Sequence, residues 1–353
     1  MAEPSSAWSL WSQYLAARLA AAAVTAWPVD HNLRTAEFLG EAVHRFDKRH
    51  RRRARDHVAA CFPDWPDAQI DRTVRASFTH FCRLLFEVLH TPRVLQRASW
   101  SGRVRFDSLG PSLSLMNRGE PCLMLTGHVG NWEVFGFLLA LMGYRVDALA
   151  RPIDNRLIND WLMGIREQRG LRIITKWQAT DRMLATLDAG GSLAFIADQN
   201  AGDRGLFVPF FGRLASSYKS IGLLAMHRRV PIVCGAAHRV PEGDRLYRFE
   251  LSVQDVITPD DWDDQPDPLY YITARYNRAM EAMVRRHPEQ YLWMHRRWKS
   301  RPAWERKQKP MPAAARRRLA DLPWMTDEQI EAIAHPAASA TPASAPPAPS
   351  TSA

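Results

Sequence analysis

A histidine and a glutamate five residues apart are the side chains of this 353-residue chain best suited to act together in catalysis. They are His128 and Glu133, in the segment LTGHVGNWEVFG over residues 125–136. A neutral imidazole beside an alcohol is the commonest general base, and a carboxylate on its other ring nitrogen fixes the tautomer and stabilises the imidazolium. The pair predicts attack by a hydroxyl, with His128 as the base and Glu133 as its orienting partner.

The spacing of the two residues constrains the backbone around them. On an unbroken helix, side chains five positions apart point about 140° away from each other. They can meet only if His128 precedes a helix that carries Glu133 in its first turn. Gly127 and Gly130 permit that bend. We therefore predict a turn between a buried strand and a helix, which is where open α/β sheets place their sites.

Other chemistries fit these residues less well. No serine occupies a G-x-S-x-G turn and no cysteine has a suitable partner, which argues against an acyl-enzyme hydrolase. The motif is not H-E-x-x-H, so a zinc peptidase is disfavoured, and nothing implies a metal or a cofactor. A purely structural histidine and glutamate remain an alternative. Widely spaced cysteines are typical of free thiols in a reducing compartment; they are Cys61, Cys82, Cys122 and Cys234.

Short apolar runs alternate with helical patterns after residue 103, which predicts an α/β fold with a central, mostly parallel sheet flanked by helices. A long helix begins at Pro66 and ends at Pro92, and another spans residues 268–286. Strands are predicted over residues 121–126, 144–150, 171–175, 192–198, 230–237 and 246–253. Helices between them are predicted over residues 132–142, 155–168, 180–189 and 217–228.

We divide the chain into three parts. Residues 1–60 form an N-terminal membrane-associated helical segment, and residues 61–309 form the domain that carries the chemistry. Residues 310–353 are an extension with two short helices, over 313–321 and 326–333. Its end contains almost only Pro, Ala, Ser and Thr, which cannot bury enough apolar surface to fold, so we predict disorder from about residue 335.

The charge of the chain favours an anionic partner. Lys and Arg number 47 against 37 acidic residues, giving a net charge of +10, which suits nucleic acid, an acidic protein or a membrane surface. The apolar run YLAARLAAAAVTAW, residues 14–27, is shorter than the roughly 20 residues that span a bilayer. We expect an interfacial helix with flanking tryptophans, a plain packing helix being the alternative. The basic run RFDKRHRRRAR, residues 45–55, would attract anionic headgroups or is simply a solvated helix face.

The motif GHVGNWE resembles the H-x-x-x-x-D/E motif of the lysophospholipid acyltransferase superfamily. Its form H-x-G-N-W-E resembles the lipid A biosynthesis acyltransferases of the lauroyl and myristoyl type. Further blocks resemble that family in the same order, so that the resemblance runs from about residue 10 to 305. They are ARPIDN at 150–155, ADQ at 197–199 with VPFFG at 208–212, VPIV at 230–233 and PEQYLWMHRRWKSRP at 288–302.

The resemblance implies an enzyme that moves a fatty acyl group from an acyl thioester to a hydroxyl of a membrane lipid, foremost a lipid A precursor. Arg151 would bind an anionic group or polarise the thioester carbonyl. The Asp-Gln pair of the ADQ block would touch the acceptor, and the adjacent arginines of the last block suit phosphorylated headgroups. Each of three residues could instead have no part in binding: Arg151 as a surface arginine, Asp198 as a capping aspartate and Asn131 as a structural asparagine. The implied binding residues are Asn131, Arg151, Asp198, Gln199, Arg296 and Arg297.

The implied partners follow from the same resemblance. The donor would be an acyl carrier protein or coenzyme A thioester, and the enzyme would lie on anionic lipid at the cytoplasmic face of the inner membrane. Nucleic acid is not expected, because no nucleic-acid-binding fold signature accompanies the basic and aromatic residues near the C-terminus. Two alternatives remain: an acyltransferase that uses acyl-coenzyme A and a lysophospholipid or glycolipid acceptor, and an inactive basic protein that binds membranes or nucleic acid.

Overall fold

The computed structural model of the chain describes residues 7–150, 152–167, 170–175 and 179–335. Its strands are short and mostly buried, as expected for a sheet covered on both faces. They are β1 (Val104–Asp107), β2 (Leu123–Thr126), β3 (Val146–Leu149), β4 (Arg172–Ile174), β5 (Ser192–Ile196), β6 (Leu206–Phe210), β7 (Arg213–Ser217), β8 (Ile232–Arg239) and β9 (Phe249–Ile257).

Seven of these strands form one sheet in the order β1-β9-β8-β2-β5-β3-β4, and β6 and β7 form a separate antiparallel hairpin. Within the large sheet only β8 and β9 pair antiparallel. Strand β2 lies at the centre, with Leu125 opposite Phe195 on one side and Cys234 on the other. The predicted α/β fold with a mostly parallel sheet is confirmed.

Helices pack on both faces of this sheet. Alternate residues of β2 enter two different hydrophobic clusters: Leu123 and Leu125 join one with the helix over residues 268–286, and Met124 joins the other with the helix over residues 132–141. The helices are α1 (Ala7–Thr25), α2 (Val29–Phe46), α3 (Lys48–Cys61), α4 (Asp67–Val94), α5 (Gly110–Asn117), α6 (Trp132–Leu141), α7 (Arg156–Glu167), α8 (Ala179–Asp188), α9 (Lys219–Arg228), α10 (Pro259–Trp262), α11 (Pro268–Arg286), α12 (Ala303–Arg306), α13 (Ala313–Ala320) and α14 (Asp327–Ala334).

Helix α4 is longer than predicted. Pro92 lies inside its last turn and does not end it. Pro92 has no N–H to donate, so one backbone hydrogen bond of the helix is lost, but the N–H of Leu95 still donates to the carbonyl of Thr91 at 2.9 Å. Helix α2 crosses α4 closely at Gly40, where an added Cβ would lie 2.5 Å from the Cα of Thr79.

The two ends of the chain fit the sequence analysis to different extents. No helix in the described ranges is long and apolar enough to cross a membrane. At the other end, α13 and α14 confirm the two short helices, and their side chains Leu319 and Ile330 are buried in the core cluster that contains Leu123. The predicted disorder from about residue 335 concerns residues 336–353, which lie outside the described part of the chain.

Candidate active site

A tight loop between β2 and α6 carries His128. Gly130 in this loop has a φ of +59°, and an added Cβ would overlap the carbonyl oxygen of Ala237 on β8. The N–H of Gly130 donates to the carbonyl of Gln290 at 2.9 Å, and the carbonyl of His128 accepts from the N–H of Leu292 at 3.0 Å. The strand–turn–helix prediction is therefore confirmed, and the backbone of the histidine is fixed from two sides.

Asn131 begins helix α6 and is fully buried. Its Oδ1 accepts from the N–H of Val134 at 3.0 Å, as an N-cap side chain does, and its Nδ2 donates to Oε2 of Glu87 at 2.7 Å. Both the oxygen and the nitrogen of the Asn131 amide are therefore hydrogen-bonded to other residues of the protein. The described geometry therefore gives Asn131 a structural role at the start of α6, the alternative that the sequence had left open.

The carboxylate on the ring of His128 belongs to Asp198. Nδ1 of His128 donates to Oδ1 of Asp198 at 2.7 Å, and the N–H of His128 donates to Oδ2 at 2.9 Å. Asp198 follows β5, which pairs in parallel with β2 so that Ile196 lies opposite Thr126. Each functional residue lies two positions beyond the end of its strand, which brings the two side chains together at one edge of the sheet.

Glu133 is not the orienting partner that the sequence predicted. Its carboxylate accepts two parallel hydrogen bonds from Arg166 on α7, from Nε at 2.8 Å and from Nη2 at 2.5 Å. Such a planar pairing fixes both carboxylate oxygens. Glu133 does lie in the first turn of α6, as expected, but its side chain joins α6 to α7 and leaves Nδ1 of His128 to Asp198.

The electrostatics of the pair favour a proton on the imidazole. Burial by itself lowers the pKa of His128, but the Asp198 carboxylate and, more weakly, Glu133 outweigh burial, so the pKa of His128 is raised above its ordinary value. Burial alone would raise the pKa of Asp198, whereas the contacts with His128 bring it well below its usual range. With Nδ1 bonded to an ionised carboxylate, Nε2 is the nitrogen that can accept a proton.

Two aromatic side chains flank the His128 ring. Trp132 packs edge-on with a centroid distance of 4.9 Å, and His295 lies nearly parallel at 5.7 Å. Burial is the main cause that lowers the pKa of His295, a shift opposite to that of His128. His295 was not among the site residues predicted from the sequence, although it belongs to the C-terminal block that resembles the family. The side chain of His128 retains 12% exposure, which leaves it within reach of a substrate.

The remaining predicted binding residues lie in different environments. Arg297 is almost fully buried and donates to Oγ of Ser217 at 2.7 Å and Oδ1 of Asn277 at 2.8 Å, so its guanidinium holds protein elements together. The side chain of Gln199 is exposed, and its backbone carbonyl accepts from Arg297 at 3.3 Å. Arg296 is exposed.

Arg151 lies outside the described residues. Within the described ranges, no group of three or more His, Cys, Asp or Glu side chains could hold a metal ion. The imidazole of His128, held by the Asp198 carboxylate, is a group of the described site that could act as a base.

Comparison with known proteins identifies the family. A family model for bacterial lipid A biosynthesis acyltransferases matches residues 5–300. The lipid A biosynthesis palmitoleoyltransferase of Escherichia coli is 26% identical over 281 residues, 76% of this chain and 84% of that protein. The lauroyltransferase of the same organism is 29% identical over 154 residues, 43% of this chain and 48% of that protein. A lipid A biosynthesis acyltransferase of Haemophilus influenzae is 22% identical over 254 residues, 70% of this chain and 75% of that protein. As its motifs indicate, the chain belongs to the bacterial lipid A biosynthesis acyltransferase family and is an O-acyltransferase.

Proposed function

We propose that this enzyme transfers a fatty acyl group directly from an acyl thioester to a hydroxyl of a lipid A precursor. The observation that carries the proposal is the contact between His128 and Asp198, which joins a partly exposed base to a buried carboxylate. The names of the relatives supply the acceptor, since those proteins act in lipid A biosynthesis.

The reaction needs a single base. The acceptor hydroxyl donates a hydrogen bond to Nε2 of His128, and its oxygen attacks the thioester carbonyl carbon while the proton moves to Nε2. Asp198 stabilises the imidazolium that results. When the tetrahedral intermediate collapses, the C–S bond breaks and the proton on Nε2 neutralises the leaving thiolate. No acyl-enzyme forms and no cofactor takes part.

Glu133 acts on this site from its ion pair with Arg166. The pair holds α7 against the start of α6, next to the loop that carries His128. The net negative field of the nearby carboxylates favours the imidazolium form. Glu133 is therefore a positioning residue in this proposal, and Asp198 is the carboxylate that contacts and orients the base directly.

The donor is an acyl carrier protein or coenzyme A thioester, and exposed cations near the site favour an anionic carrier. Helix α3 lies beside the segment that carries His295, because Nδ1 of His57 is 2.8 Å from the carbonyl of Trp293. The exposed basic residues at this helix and just before it are Arg45, Lys48, Arg49 and Arg52. An anionic carrier would be attracted by these cations as it approaches the enzyme.

Exposed side chains of the N-terminal region also suit an anionic membrane surface. Large apolar side chains of α1 and α2 are exposed: Trp8 by 86%, Phe38 by 74% and Phe46 by 77%. Phe46 immediately precedes the exposed cations of α3. Apolar groups that insert at the headgroup level beside basic residues are typical of interfacial binding. We propose that the enzyme lies on the cytoplasmic face of the inner membrane through this surface.

Lipid mass spectrometry of a deletion strain tests the function. Complementation with the unaltered gene should restore one acyl chain on lipid A, whereas His128→Ala at the same expression level should not. A change confined to phospholipids or glycolipids would instead identify a different acceptor and overturn the lipid A assignment. Restoration by His128→Ala would overturn the mechanism.

A further inference from the structure

Arginines line a cavity of about 630 Å³ beside α4. Arg72, Arg75 and Arg83 share one face of that helix, because residues three and eleven positions apart lie on the same side. Arg239, the last residue of β8, lies in the opposite wall. The volume falls within the roughly 300–1,000 Å³ of small-molecule sites. A row of cations that lines a concave wall, and not an open helix face, indicates a site for an anion.

The guanidinium groups of this cavity keep donors that no protein group uses. Among the described residues, Arg72 makes no hydrogen bond or ion pair. Arg75 donates to Oε1 of Glu41 at 2.7 Å through its Nε. Nη2 of Arg83 is 2.7 Å from Oε1 of Glu37, but its Nε is buried and has no hydrogen bond within the described ranges. Because a buried donor without a partner costs free energy, a ligand oxygen in the cavity would be stabilised there.

The charges around the cavity also favour an anion. Burial and, after it, the charge of Arg239 lower the pKa of Arg83, so these two guanidinium groups lie close enough to repel each other. Glu41 and Glu289 are the carboxylates of the lining, whereas the carboxylates that pair with Arg83 and Arg239 are not part of it. Planar guanidinium groups bind phosphate oxygens through paired N–H donors. A phosphate group is therefore the anion that suits this lining best.

The cavity adjoins the loop that carries His128. Arg239 and that loop lie at the same edge of the sheet, because β8 pairs in parallel with β2. Gln290 joins the two: its carbonyl accepts from the N–H of Gly130 at 2.9 Å, and its side chain is hydrogen-bonded to the backbone N–H and carbonyl of Arg239. A ligand in the cavity would therefore lie behind the same residue that supports the catalytic loop.

We propose that this cavity is a phosphate-binding subsite, filled either by a phosphate monoester on the lipid acceptor or by free phosphate. The acceptor version rests on the proposed function, because it requires a lipid whose hydroxyl lies at His128. Free phosphate carries the same oxygens and requires no acyl transfer. In both cases Arg72 and Arg83 donate to the phosphate oxygens.

Binding of inorganic phosphate tests the subsite without any acyl transfer. Isothermal titration calorimetry at constant ionic strength compares the unaltered enzyme with Arg72→Gln, Arg83→Gln and Arg97→Gln. The last variant is the control, because Arg97 is exposed just after α4 and lies outside the lining. Each cavity variant should bind phosphate about 10-fold more weakly, since it loses a charge-assisted hydrogen bond, and the control should bind it as the unaltered enzyme does. If Arg83→Gln fails to fold, the exposed Arg72 keeps the test available.

Kinetics with two lipid acceptors identify the source of the phosphate group. The unaltered enzyme and Arg72→Gln are assayed with a phosphorylated lipid A precursor and with the same lipid after removal of its phosphates. If the acceptor fills the cavity, KM for the phosphorylated lipid should rise about 10-fold in Arg72→Gln with kcat retained, and KM for the dephosphorylated lipid should not change. An unchanged KM for both lipids, together with phosphate binding in calorimetry, would assign the cavity to free phosphate.

Two results would overturn the subsite. One is the absence of phosphate binding by the unaltered enzyme together with an unchanged acceptor KM in Arg72→Gln. The other is an equal loss of phosphate binding in Arg97→Gln, which would mean that net charge alone attracts the anion. Failure of the proposed function is distinguishable, because an enzyme that transfers no acyl group to either lipid would still bind phosphate in calorimetry.

Discussion

The hydrogen bond between His128 and Asp198 determines how activity depends on pH. A general base must be neutral, and the net effect of its surroundings raises the pKa of His128 above 6.5. Activity, measured as kcat/KM across pH, should therefore rise through a midpoint above 6.5. In Asp198→Asn the carboxylate is lost while burial remains, so the midpoint of the residual activity should move to lower pH. The same midpoint in both enzymes would contradict this account.

Gly130 is required for two separate reasons, and one substitution pair distinguishes them. Its φ of +59° strains any other residue, and a Cβ would also overlap Ala237. Gly143 has a φ of +96° but open space around it. Gly143→Ala should therefore lower the free energy of unfolding by about 1 kcal/mol. Gly130→Ala should lower the free energy of unfolding more, and it should also reduce activity because the loop that carries His128 must shift. Equal losses of stability for the two variants in urea unfolding would show that the overlap with Ala237 is unimportant.

The sequence located the base but not its partner. His128 was found because its glycine-flanked motif is local. Glu133 was expected to be the partner because it is near in sequence, and Asp198 was expected to touch the acceptor, because its proximity to His128 depends on β5 pairing with β2. Strand order is set by the packing of the whole domain and leaves no trace in the spacing of residues. A carboxylate directly after a second buried strand was the available signal.

At the scale of elements, a buried ion pair ties α4 to β8 beneath the His128 loop. Glu87 and Arg239 are joined by two hydrogen bonds, of 2.5 and 2.8 Å, and Glu87 also accepts from Asn131 at the start of α6. Both charged side chains are at most 5% exposed. The pair therefore supports the catalytic loop through Asn131.

Removing one charge of this pair should be costly. Glu87→Gln leaves the guanidinium of Arg239 buried and uncompensated, which should lower the free energy of unfolding by about 3–5 kcal/mol. The exposed pair of Arg229 and Asp263 has the same two-bond geometry, and Arg229→Gln should lower the free energy of unfolding far less, because water screens an exposed pair. Urea unfolding of both variants measures the difference. Similar losses would mean that burial does not set the strength of these pairs.

Elements with a strong period or a fully apolar run were predicted well, whereas some short strands without such a run were missed. Helix α11 has the predicted bounds, residues 268–286, because its apolar face repeats over five turns. Strand β1 was missed because it has only four residues, two of them exposed. The hairpin of β6 and β7 was also missed, since Pro209 within β6 weakens the strand pattern. Helix α4 passes Pro92 because tertiary packing outweighs a proline in a last turn.

At the scale of the whole molecule, part of the excess positive charge lies in the N-terminal region. Exposed cations at the end of α2 and on α3 adjoin the exposed apolar side chains Phe38 and Phe46. The core clusters lie on the two faces of the sheet and leave this N-terminal surface free of the fold's own packing. The proposed membrane surface is thus a separate part of the molecule from its core, and it can be altered without disturbing the sheet.

Neutralising two of these cations should weaken membrane binding. Arg49→Gln with Arg52→Gln removes about 1 kcal/mol per residue near an anionic surface, which is roughly a 30-fold loss of affinity. Sedimentation with vesicles of phosphatidylglycerol and phosphatidylethanolamine measures the change, and neutral vesicles should show almost none. A control variant, Lys307→Gln with Arg317→Gln, alters the same net charge at another exposed region. Equal losses in both variants would mean that total charge, and not this surface, directs binding.

The central claim is that His128 works as a base held by Asp198, and substitution of each carboxylate tests it most directly. Acyl transfer from an acyl carrier protein thioester to a lipid A precursor is measured with purified His128→Ala, Asp198→Asn and Glu133→Gln. We predict that the first two lower kcat by at least about 10²-fold, and that Glu133→Gln lowers it less because Glu133 pairs with Arg166 and makes no hydrogen bond to His128. Activity near that of the unaltered enzyme in Asp198→Asn, together with its loss in Glu133→Gln, would contradict the account.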